Sequence, residues 1–63
     1  MYIPQLRERV YLAGRSGVFL VMWVDHEQKE ADLMPLHGAS SAEESVSFSE
    51  IQAYRENLPP KSS

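Results

Sequence analysis

Between Gly17 and Asp25 stand seven apolar residues in a row: Val18, Phe19, Leu20, Val21, Met22, Trp23 and Val24. Successive side chains of a strand point to opposite faces, so a strand with one wet face alternates apolar and polar, whereas this one is apolar in both phases. Such a strand has to be covered twice. Sixty-three residues hold no spare helices for the two faces of a sheet. What remains is a strand that curls into a small closed barrel, or one whose outer face meets a partner.

Size sharpens this constraint. A chain of this length makes one domain and buries only about 60% of the surface its unfolded form exposes. At roughly 1.5 kcal/mol of conformational entropy per ordered residue, the cost of folding nearly cancels the apolar gain. Phe19, Trp23, Leu33, Phe48 and Ile51 are therefore expected to serve the core. With no cysteine, disulfide staples and thiolate metal sites are excluded, and the reducing cytoplasm is the expected compartment. The first residues have no basic head followed by an apolar stretch, and the apolar run is far short of the roughly 20 residues needed to cross a bilayer. The reading is of a soluble, unprocessed chain with no membrane contact.

The net charge of -3 is unevenly spread. Residues 1–24 carry Arg7, Arg9 and Arg15 against Glu8, while residues 25–63 carry Lys29, Arg55 and Lys61 against eight acids. An acidic total argues against generic phosphate binding, which depends on releasing counterions with Lys and Arg.

Residues 1–8 read as a loose lead-in in which Pro4 biases Ile3 toward an extended backbone. Residues 9–13 alternate polar and apolar and predict a first strand. Gly14-Arg15-Ser16-Gly17 supplies the positive backbone angles of a tight turn, which makes the first two strands antiparallel neighbours. The second strand, 18–24, ends in the polar hairpin tip 25–30. Residues 31–36 resume as a third strand, and Pro35, which cannot donate to a ladder, belongs at an edge or at the strand's end. Residues 37–42 are small and polar and predict a disordered loop. Residues 43–48 alternate again as a fourth strand. Ser49 and Gln52 have the spacing of a capping box and predict a short helix carrying Ile51, Tyr54 and Leu58, stopped before Pro59-Pro60. The domain thus spans 9–57, with 58–63 as a flexible tail.

A mainly β fold of four to five antiparallel strands with a short C-terminal helix resembles the SH3-like small-barrel superfamily, in the broad sense that includes Tudor-type and bacterial ribosome- or polymerase-associated modules. The resemblance rests on the two-phase apolar strand, on Val24-Asp25 followed by a polar hairpin, and on the turn at residues 49–52, and it covers roughly residues 9–54. It implies a second strand that bends sharply, its two halves lying in different sheets. Tudor domains that read methylated side chains follow the aspartate with an aromatic residue, a glycine and an asparagine; here His26, Glu27 and Gln28 stand instead. No ligand role carries over to those positions. The loop at residues 14–17 is also too short to supply the acidic, aromatic-rich first loop of proline-binding SH3 modules.

Chemistry-bearing residues are few. His26 and His37 flank Asp25, Glu27, Glu30 and Asp32, yet neighbouring strand residues point apart, so the reading is of a solvated turn without metal. Ser40 and Ser41 with His37 and Asp32 are the one set near nucleophilic spacing, but they fall in the loosest segment, and the chain is read as no enzyme and without cofactor. Phosphate-loop and dinucleotide motifs are absent.

Two surfaces remain. Tyr11, Phe19, Met22, Trp23 and Met34 exceed what so small a barrel can enclose, and the surplus is expected as an apolar patch for a protein partner or a second copy. Arg7, Arg9 and Arg15 with Tyr11 form the alternative, a basic and aromatic patch for single-stranded nucleic acid. The leading expectation is a non-enzymatic interaction module.

Overall fold

The computed structural model describes residues 2–54. Five antiparallel strands make one sheet: β1 (Arg9–Leu12), β2 (Phe19–Asp25), β3 (Glu30–Pro35), β4 (Glu43–Ser47) and β5 (Ile51–Ala53). Their order across the sheet is β4-β3-β2-β1-β5. The first four strands form a meander, and β5 returns to the far side of β1, where Leu12 lies opposite Ile51 and Val10 opposite Ala53. The fold is mainly β, as the alternation in the sequence predicts.

All five strands and the turn before β5 contribute to one core: Val10, Leu12, Phe19, Val21, Ala31, Leu33, Val46, Phe48 and Ile51. A single sheet that encloses a core with no second layer among the described residues has to curl, and this arrangement is compatible with a small barrel. Four of the five residues expected in the core are there. Trp23 is the exception, with 61% of its surface exposed.

The exception has a structural cause. Val21 lies opposite Leu33, but Trp23 lies opposite Asp32, so Met22 is an extra residue in β2. A β-bulge of this kind leaves two consecutive side chains on one side and exchanges the inward and outward phases beyond it. Phe19 and Val21 face the core before the bulge, Met22 and Trp23 both face solvent, and Val24 packs back against the core. The two apolar phases of the sequence are thus used one after the other along β2. They are not both covered at every position.

A second bulge shapes the other edge. Ala31 lies opposite Val46 and Leu33 opposite Glu43, which leaves one extra residue in β4. Ser45 takes the left-handed conformation there, at φ 53°, and the Asp32 carboxylate accepts its backbone N–H at 2.9 Å.

The capping-box helix does not form. A single 3-10 turn spans Phe48–Glu50, and the chain is already extended at Ile51 as β5 begins. Ser47, not Ser49, caps that turn, its hydroxyl accepting from the Ser49 N–H at 3.3 Å. Pairing Ile51 with Leu12 buries it against the sheet, a tertiary gain that one turn of isolated helix cannot match. Leu58 and the expected tail at 58–63 lie outside the described residues.

The lead-in expected to be loose is held, and the loop expected at 37–42 is fastened at its first residue. Pro4 is buried, and Tyr2 packs against the core. Arg7 N–H donates to the Val21 carbonyl at 2.8 Å, and Val21 N–H donates to the Glu8 carbonyl at 2.9 Å, so the lead-in continues the pairing of β1 with β2. On the other side, Val18 N–H donates to the His37 carbonyl and Leu36 N–H to the Val18 carbonyl, each at 2.8 Å, which fastens the start of the 36–42 loop.

Candidate interaction surface

The bulge at Met22 decides what the outer face presents. Leu20 lies opposite Met34, and Trp23 opposite Asp32, so Leu20, Met22, Trp23 and Met34 occupy one region of the outer face of β2 and β3. Met22 is 45% and Met34 38% exposed. Single exposed apolar residues are ordinary on a protein surface, but large neighbouring ones are not. Three of the five sequence candidates are therefore together.

The other two are elsewhere. Phe19 is a core residue, and its candidacy as a surface contact ends there, because its phase of β2 precedes the bulge and points inward. Tyr11 is half-buried on β1 opposite Gln52, with its ring 5.3 Å from that of Tyr54 in a tilted pair. The Arg9 guanidinium stands 5.9 Å from the centre of the Tyr54 ring, so Arg9, Tyr11 and Tyr54 form a cation and aromatic cluster, and Arg9, opposite Leu20, borders the β2–β3 region.

Residues unmarked by sequence reasoning complete the surface. Pro4, Gln5 and Leu6 from the lead-in face Trp23, Val24 and His26 across an open groove of about 550 Å³. Leu6 is 57% exposed. Its groove wall is fixed by a turn in which Glu8 N–H donates to the Gln5 carbonyl at 3.1 Å while Gln5 N–H donates to the Glu8 carboxylate at 2.9 Å. Arg7 adopts φ 68° to close it. Two exposed apolar residues, Ile3 and Leu6, in a segment free of any strand pattern were the available hint.

Below the groove, the polar hairpin is built as its composition implies. The Asp25 carboxylate accepts the backbone N–H groups of Glu27 and Gln28, both at 3.0 Å, and Lys29 takes φ 58° to bring the chain back. The His26 ring stands edge-on to Phe48 at 6.2 Å. Among the described residues no group of three histidines, cysteines or acids is placed to hold a metal ion. Asp25 and Asp32 both spend a carboxylate oxygen on backbone N–H groups. No helix among the described residues is long and apolar enough to cross a membrane.

The arginines expected as a basic patch stand on three successive segments. Arg7 stands in the lead-in turn, Arg9 at the Tyr54 ring, and Arg15 in the β1–β2 loop, where its guanidinium pairs with the Glu43 carboxylate.

Tyr2 closes the core from the lead-in side. Its hydroxyl is enclosed and meets no partner at hydrogen-bonding geometry among the described residues. Burial, reinforced by the nearby Glu8 carboxylate, pushes the phenol well above the ordinary tyrosine range.

Compared with protein-family models, with curated proteins and with solved structures, the chain matches none.

Proposed function

We propose that the chain is an SH3-like small barrel acting as a non-enzymatic interaction module, which binds a protein through the outer face of β2 and β3 and the adjoining groove. The single observation carrying this reading is the exposure of Trp23 beside Met22 and Met34 at the mouth of a groove walled by Pro4, Gln5 and Leu6. Tryptophan and methionine are enriched at protein interfaces, where large apolar area is gained for few frozen torsions. In so small a domain, exposing that area forgoes stability that the core needs, which argues for a use. The barrel assignment is supported by the strand order, by a β2 that pairs with β1 only in its first half, and by the single 3-10 turn ahead of β5. Absence of cysteine suits a cytoplasmic setting.

Nucleic-acid binding is the weaker reading, because Arg15 is engaged by Glu43 and the remaining arginines do not share its loop. The two separate in a photo-crosslinking experiment. A benzophenone amino acid at position 34 is expected to capture a protein in cells, whereas the same probe at Glu50, on the 3-10 turn, captures none. Adducts to nucleic acid alone, or equal capture from both positions, overturn the reading.

A further inference from the structure

Strand β2 has partners on both sides only along its first half. Arg9 lies opposite Leu20, Val10 opposite Phe19, and the lead-in reaches Val21 through Arg7 and Glu8. Beyond Val21 the strand pairs with β3 alone, through Trp23, Val24 and Asp25. No strand among the described residues takes the opposite edge. Backbone groups of an antiparallel strand alternate between its two neighbours. Val21 is bonded toward β1, the bulge at Met22 and Trp23 turns two residues toward Asp32, and Asp25 closes the hairpin with Glu30; the alternation therefore aims Val24 N–H and C=O away from β3. The apolar groove lies along this edge, with Val24 in its wall between Trp23 and His26.

An unpaired edge beside an apolar groove is the arrangement that accepts an added strand: main-chain hydrogen bonds hold the guest, and every second side chain enters the groove. Charge specifies the guest further. The lining itself holds no acidic side chain, but the chain segments that supply it, residues 4–8 and 23–30, carry Glu8, Asp25, Glu27 and Glu30 against Arg7 and Lys29. Surplus negative charge around an apolar slot favours a basic partner and speeds its encounter. We infer that the groove receives an extended peptide, apolar at alternate positions and basic between them, paired to the β2 edge at Val24.

This inference rests on the interaction reading above and is tested apart from it. The probes are nine-residue acetylated and amidated peptides: one alternating lysine and valine, one alternating glutamate and valine, and a lysine and valine peptide with every backbone nitrogen methylated. Trp23, the single tryptophan of the chain, reports occupancy through its emission. The lysine and valine peptide is expected to bind saturably with a blue shift. Methylation is expected to weaken it at least tenfold, and the glutamate peptide or the Glu27→Lys variant at least fivefold. Equal affinity for the methylated peptide, equal affinity for the glutamate peptide, or an unmoved emission with the lysine peptide overturns the inference. So does a concentration-dependent dimer that shields Trp23 without peptide, since a second copy then fills the groove. If the probe at position 34 still captures a protein while the peptides fail, only this inference falls; if both fail, the interaction reading falls with it.

Discussion

Asp32 and Ser45 are joined across the β3–β4 ladder, the Asp32 carboxylate accepting the Ser45 backbone N–H at 2.9 Å. The bulge in β4 takes that N–H out of the regular ladder, and Ser45 holds it at a positive φ that non-glycine residues seldom adopt. The side chain of one strand thereby supplies the acceptor that the backbone does not. Replacing Asp32→Ala is expected to cost about 1 to 2 kcal/mol, at the lower end of the roughly 1.5 to 3 kcal/mol for hydrogen bonds to charged groups because this one is exposed to solvent, and Asp32→Asn, which keeps an acceptor, substantially less. Urea unfolding of the two variants, with hydrogen exchange at the Ser45 amide, checks the ranking; equal midpoints for both refute it.

Gly17 and Gly14 bound the same loop but tolerate substitution differently. A Cβ at Gly17 would lie 2.3 Å from the Ala39 nitrogen and the Gly38 carbonyl carbon, both backbone atoms, whereas a Cβ at Gly14 meets nothing within 4 Å among the described residues. Both have positive φ. Gly14→Ala is expected to cost about 1 kcal/mol, the left-handed penalty alone, and Gly17→Ala at least about 2 kcal/mol because the 36–42 loop has to move as well. Thermal melts of the two variants give the comparison.

The phenol of Tyr2 predicts the alkaline behaviour. Its folded-state proton affinity is raised, so the folded state disfavours the phenolate, and the stability tied to the neutral ring is complete below the ordinary tyrosine value of about 10 and is lost as pH rises above it. Tyr2→Phe is expected to reduce that alkaline loss. At neutral pH it removes an enclosed hydroxyl that lies near the Glu8 carboxylate but meets no partner at hydrogen-bonding geometry among the described residues, and stability should change by no more than about 1 kcal/mol. Denaturant midpoints between pH 7 and 11 decide it; parallel curves for both proteins contradict the assignment.

Phe19 and Trp23 sit in the same strand with opposite energetic roles. Phe19 is 1% exposed, and truncation to alanine is expected to cost about 3 to 5 kcal/mol, comparable to the whole stability of a domain this small. Trp23→Ala is expected to change stability by less than about 1 kcal/mol while abolishing binding at the groove. Circular dichroism of both variants distinguishes them: the first should be unfolded at ambient temperature, the second folded.

Four strands, the two hairpin turns and most of the core follow from alternation, glycine placement and the polar stretch at 25–30, because each of these is a local constraint on backbone and solvation. Local reasoning misplaced what depends on competition between distant segments. Ile51 has helical spacing from Ser49, yet it pairs with Leu12, thirty-nine positions earlier, since burial against β1 outweighs one turn of helix. Pro4 and Leu6 carry no strand pattern, and only the turn anchored at Val21 sets them opposite Trp23.

The run from Val18 to Val24 marks the boundary most clearly. Its composition alone dictates that apolar groups point both ways and that something must cover them. The site at which inward and outward exchange is invisible in seven consecutive apolar residues, because a bulge at any of them preserves the pattern. Only the pairing of Trp23 with Asp32 instead of Met22 with Asp32 fixes it, and with it which rings reach solvent. A one-residue slip in register turns every following side chain over, and register is a property of the assembled sheet.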